Sequence, residues 1–128
     1  MNQDNYKGGF RELEVWKEAR ELRKTISSVV KTFPEYEKYK LTDQLLRASR
    51  SITANISEGY GRFHYQENIQ FCRQARGSLM ECLDHFICAE DEKYISQNTF
   101  REVEMHYSKI LKMLNGYISY LKKRKEED

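Results

Sequence analysis

In the last third of the chain, Phe100, Val103, Tyr107, Ile110, Leu114, Tyr117 and Leu121 recur at alternating steps of three and four. A strand would scatter these residues over both of its faces, whereas a helix gathers them into one stripe. A helix that is apolar on one side is marginal in water by itself, so this segment requires partner helices. The chain supplies three. The first carries Val15, Ala19, Leu22, Ile26, Val29 and Phe33, and the second Leu41, Leu45, Ile52 and Ile56. The third runs from about Tyr65 to Ala89, with Ile69, Cys72, Leu79, Leu83 and Phe86 inward.

Punctuation between these patterns fits the same reading. Pro34 pushes Phe33 out of the helical region and closes the first helix. Thr42 is placed as the N-cap of the second, with Leu41 and Leu46 as a hydrophobic staple, and Ser96 as the N-cap of the fourth. Short connections between long helices define an all-α fold, an antiparallel up-down-up-down four-helix bundle. It occupies residues 11–122, between a flexible N-terminus (1–10) and a charged, solvated C-terminal tail (123–128). At 128 residues, one such domain buries enough surface to fold without metals or disulfides.

The fourth helix has more apolar girth than one core needs. Leu111 and Ile118 flank its stripe on one side, and His106, Met113 and Tyr120 form a seven-spaced row on the other. Met80 and Ile87 do the same on the third helix. Helices apolar over so much of their circumference are buried on two sides, which predicts a homo-oligomer.

Catalytic and metal chemistries find little footing. A di-iron bundle needs Glu-x-x-His on two helices, and no Glu here has His three residues later. Cys82, His85 and Cys88 are spaced by threes, but each step turns about −60° around a helix, so the outer two diverge. The three cysteines lie on or beside the core stripe, where thiols are small inert hydrophobes and reduced. No enzyme, cofactor, metal or small-molecule substrate is expected. With no signal-peptide pattern and no long apolar run, a cytoplasmic protein without membrane association is expected.

The stretch SITANISEGYGR, Ser51 to Arg62, is the most distinctive. Gly59 reads as a left-handed C′ stop for the second helix, Gly61 as the tight reversal after it, and Arg62 as the residue delivered to the third helix. No Gly-Lys-Ser/Thr follows, so it is not a P-loop, and no strand precedes it for a dinucleotide site. Asn55-Ile56-Ser57 matches a glycosylation acceptor that has no use inside a cell. Ala48, Ser51 and Asn55 form a small, polar edge suited to close helix approach. Gly77, in mid-helix beside Ser78, is read the same way, because glycine there is otherwise unfavourable.

The formal charge of +2 excludes a strongly basic nucleic-acid binder, so any anion site comes from local clustering. From Gln44 to Met80 the cations are Arg47, Arg50, Arg62, Arg73 and Arg76, against Glu58 and Glu67, a local +3. All are arginine, which grips phosphate or carboxylate bidentately. Two readings stand side by side. In one, an oligomer repeats these arginines around an axis and binds RNA or single-stranded nucleic acid through phosphates. In the other, the protein is an interaction scaffold whose arginines make salt bridges between subunits or to an acidic partner.

LEVWKEA, FPEYEKYKLTDQLLRASRSITANISEGYGR, FCRQARGSLMEC, KYIS and LNGYISYLK together carry a family likeness over Phe10 to Lys122. The chain resembles the bacterial four-helix bundle proteins encoded in intervening sequences of 23S ribosomal RNA genes. That resemblance implies a homopentamer, similar to the accessory protein of diversity-generating retroelements, which associates with nucleic acid and reverse transcriptase. The family's characteristic polar residues fall on Arg47, Ser51, Asn55, Glu58, Gly59, Gly61, Arg62, Gly77, Ser78 and Glu81, none of them catalytic. Three departures stand out: Thr53 replaces a frequent proline, His64 replaces the usual serine or threonine three before Glu67, and HFICAEDEKY is more acidic than usual.

Overall fold

The computed structural model describes residues 8–127. Four helices make up the bundle: α1 (Glu14–Val29), α2 (Leu41–Gly61), α3 (Tyr65–Asp91) and α4 (Gln97–Glu127). Short 3-10 turns at Gly9–Glu12, Val30–Thr32 and Glu35–Glu37 lead into and out of α1, and the described residues contain no strand.

The reversed order of contacts along neighbouring helices makes each consecutive pair antiparallel. Ser78 of α3 donates to Ser51 of α2 at 2.9 Å, while the later α2 residue Gly59 lies against the earlier α3 residues Asn68 and Phe71. Between α3 and α4, Tyr107 reaches Met80, Asn115 reaches Arg76, Tyr117 reaches Asn68 and Arg124 reaches Tyr65. On α1, Arg23 donates to Thr53 of α2 at 2.9 Å, while the preceding Gly9 lies beside Tyr60.

The core follows the stripes read from the sequence. Ala19, Leu22, Ile26, Leu45, Ile52, Ile56, Cys72, Leu79, Phe86, Ile110, Leu114 and Leu121 are buried together. Ile118, read as surplus, belongs to this core, and Leu111 and Met113 pack against it. The reason is lateral: α4 meets both α1 and α3, so residues on either side of its heptad stripe find a neighbour. Met80, Ile87 and Tyr120 remain exposed, as does Met105. Leu83 is only half-buried.

Several helix ends differ from expectation. α2 starts at Leu41, so Thr42 is not its N-cap; Lys40 is, without a side-chain cap. The Glu37 carboxylate reaches the Leu41 N–H at 3.4 Å instead, and Tyr94 donates to the same carboxylate at 2.8 Å. Ser96 caps α4 as read, accepting the Thr99 N–H at 3.1 Å. His64 stands at the α3 N-cap without a capping bond, as its imidazole leaves the capping box incomplete. α4 continues through Glu127, so 123–127 is helical and not a frayed tail. Of the expected N-terminal arm, 1–7 lie outside the described residues, while Phe10 packs edge-on against Trp16 at 5.2 Å.

Candidate nucleic-acid interface

The corner after α2 is built otherwise than the glycine pattern predicts. Gly59 is buried inside α2, two residues short of its end, with an ordinary helical backbone. Its absent side chain serves packing: a Cβ there would sit 2.7 Å from Asn68 Oδ1 and 2.9 Å from the Phe71 Cβ. Gly61 is the last helical residue, with open space around it. The left-handed residue that turns the chain is Phe63, at φ 60°.

Gly77 reverses its expectation as well. It is exposed, and a Cβ would meet nothing within 4 Å, so no helix of the same chain crowds it. Its neighbour Ser78 does make the close α2–α3 contact, through Ser51, whose hydroxyl also accepts from Asn55 at 3.0 Å. The small, polar edge of α2 is thus a helix–helix contact.

The five arginines do not form one surface within the chain. Arg47 is exposed on α2, 3.8 Å from Asp43, and shares an open cleft with Tyr39, Gln44, Glu81 and His85. Arg50 is also exposed, with its backbone carbonyl accepting from Thr53. Arg62 lies 3.8 Å from Glu58, with its guanidinium 5.2 Å from the centre of the Phe71 ring, tying the corner to α3. Arg73 and Arg76 fall on the flank of α3 that faces α4.

On that flank the structure adds two cations that the sequence reading did not count, Lys122 at the end of the expected bundle and Lys125 from the expected tail. A cleft of about 270 Å³ between α3 and α4 is lined by Gln66, Ile69, Arg73, Lys122, Lys125 and Glu126. Lys125 reaches Gln66, and one turn above Arg73 the Arg76 guanidinium donates to Asn115 at 2.7 Å. Lys125 and Arg76 therefore hydrogen-bond neutral amides, and no carboxylate lies within ion-pair distance of Arg73, Arg76, Lys122 or Lys125 among the described residues. Four cations against Glu126 make this the stretch of groove best suited to phosphate. The apolar stripe ends at Leu121, so the heptad carried no signal for it; only the helix-favouring composition of 122–127 hinted that α4 continues and carries Lys122 and Lys125 alongside α3.

The buried groups are built for structure. Burial pushes the Cys72 and Cys82 thiols up to about 12, which suppresses the reactive thiolate. Cys88 is exposed, contrary to its expected place by the core. Its thiol is nonetheless raised, by partial desolvation and then by Asp84, Asp91, Glu92 and Glu37. Asn68, fully buried, donates to Tyr117 at 3.1 Å and accepts from Cys72 at 3.5 Å. Among the described residues no cluster of three His, Cys, Asp or Glu is arranged to hold a metal, and no helix is long and apolar enough to cross a membrane.

These features define an all-α four-helix bundle with a basic groove between its last two helices. The chain belongs to the 23S rRNA-intervening sequence protein family, whose pattern it matches over residues 11–116. Its fold is similar to that of a solved protein of unknown function from the S23 ribosomal protein family of Bacteroides thetaiotaomicron. The TM-score is 0.75 at 22% identity, over 81% of this chain and 97% of that one. No curated protein matches the chain.

Proposed function

We propose that this protein is a non-enzymatic, oligomeric bundle that binds RNA or other nucleic acid through phosphate contacts. The observation that carries the proposal is the α3–α4 groove, where Arg73, Arg76, Lys122 and Lys125 lie without carboxylate partners among the described residues. Cations already neutralised by acids gain little from a phosphate, whereas Arg76 and Lys125 bond only neutral amides and Arg73 and Lys122 line the same flank. Phosphate contacts fix position without reading sequence, so little sequence preference follows.

Self-association supplies the repetition that a chain of net charge +2 needs. Met80 and Ile87, two turns apart on α3, are 43% and 41% exposed while the adjacent Leu79 and Phe86 are buried, and Met105 is open on α4. The family resemblance makes a homopentamer the assembly to test. Arg47 fits the alternative role of subunit or acidic-partner contact better than phosphate binding, because Asp43 and Glu81 share its cleft.

The test is fluorescence anisotropy of a labelled RNA against salt. Four phosphate contacts give a log–log slope of about −3 for a single strand. Arg73→Glu with Lys122→Glu is expected to abolish binding, and Arg47→Glu to leave it intact. Absence of binding at low salt rejects the proposal, and loss with Arg47→Glu alone moves the site to α2.

A further inference from the structure

We infer that Phe63, at the tip of the α2–α3 corner, is a base-stacking platform at the foot of the basic groove, so that the preferred ligand is single-stranded. This rests on the nucleic-acid reading above and narrows it to a class of strand.

The corner places a bulky aromatic residue where glycine belongs. Phe63 has φ 60°, a conformation in which a side chain crowds the following carbonyl and which glycine adopts freely. Two residues earlier the chain spends a glycine, Gly61, at an exposed helical position where nothing within 4 Å requires one. Burial does not offset the strain, because Phe63 is 44% exposed and its ring meets Tyr60 only edge-on, at 6.4 Å. A strained residue that little packing rewards points to a use outside the fold.

Position supports that use. Phe63 is three residues before Gln66, so its Cα lies within about 11 Å of the Gln66 Cα. Gln66 lines the basic cleft and is held by Lys125. Exposed Arg62 and His64 flank it in sequence. A strand whose phosphates follow Arg76, Arg73 and Lys122 down the groove reaches this corner with its next bases. Exposed aromatic faces beside a cationic track bind unpaired bases of any identity, while the stacked bases of a duplex cannot use them.

The experiment compares a labelled single-stranded oligoadenylate with a blunt RNA duplex, using Phe63→Asn, which tolerates the left-handed backbone but lacks the ring, and Phe63→Trp, which restores one. Phe63→Asn is expected to weaken single-strand binding about tenfold, as for loss of one base–aromatic stack, with the duplex affinity and salt slope unchanged. Phe63→Trp is expected to keep the affinity, with its added fluorescence quenched by the oligonucleotide. Wild-type single-strand affinity in Phe63→Asn, or equal loss for both RNAs, overturns the stacking assignment while leaving the groove in place. Wild-type protein that binds neither RNA overturns both.

Discussion

Gly59 of α2 and Asn68 of α3 meet so closely that one added carbon on the glycine would lie 2.7 Å from the asparagine Oδ1. Asn68 cannot retreat easily, being fully buried and bonded to Tyr117 and Cys72. Gly59→Ala is therefore expected to destabilise the fold by about 1–3 kcal/mol through overpacking. Gly61→Ala and Gly77→Ala, with open space around each, are expected to stabilise it by up to about 1 kcal/mol through helix propensity. Urea unfolding of the three variants checks both signs.

The starts of α2 and α4 differ in kind. Ser96→Ala removes a side-chain oxygen that accepts the Thr99 N–H and should cost about 1 kcal/mol. Thr42→Ala lies within the first turn of α2 and removes no cap, so its midpoint in urea should stay close to wild type.

Thiol chemistry separates the cysteines. Ellman's reagent is expected to titrate Cys88 in the native protein and to reach Cys72 and Cys82 only on unfolding. The buried pair also sets a pH limit. Folded thiols held near 12 keep their protons where unfolded thiols, with a pKa near 9, lose them. The unfolded state then binds fewer protons, so stability is fully present below pH about 9 and falls as pH rises toward 12, by up to about 1.4 kcal/mol per pH unit for each thiol. Urea midpoints measured from pH 8 to 10.5 should fall less steeply in a Cys72→Ala, Cys82→Ala double variant.

Assembly is expected to depend on the exposed stripe of α3. Met80→Gln with Ile87→Gln, polar changes that add no charge beside the groove, should reduce the mass found by light scattering to one chain while leaving the helical circular-dichroism signal unchanged, since neither residue is in the core. An unaltered mass would place the subunit contact elsewhere.

The double change also separates assembly from binding. If the α3–α4 groove acts within each chain, the single-chain variant should retain the salt slope of the assembly per bound chain and lose only the apparent affinity that repetition supplies.

The helices and most of the core were legible in order along the chain, because a helix's buried face is a matter of local period. From Val15 to Leu121 most residues on that period are buried, and Val29, Phe100, Tyr107 and Tyr117 pack against the core from its edge. Ser96 was equally readable, since a cap acts on its own first turn. Gly59, Gly77 and the five arginines were not, because each depends on what stands across from it. The same residue type means a close crossing at position 59 and open water at position 77. Arg73 and Arg76 became part of a basic groove only when α4 continued past Leu121 and laid Lys122 and Lys125 beside α3. Periodicity acts over a few residues of one chain segment, whereas charge and contact act through space, and only the packing of the helices brings residues 59 positions apart to within a few ångströms.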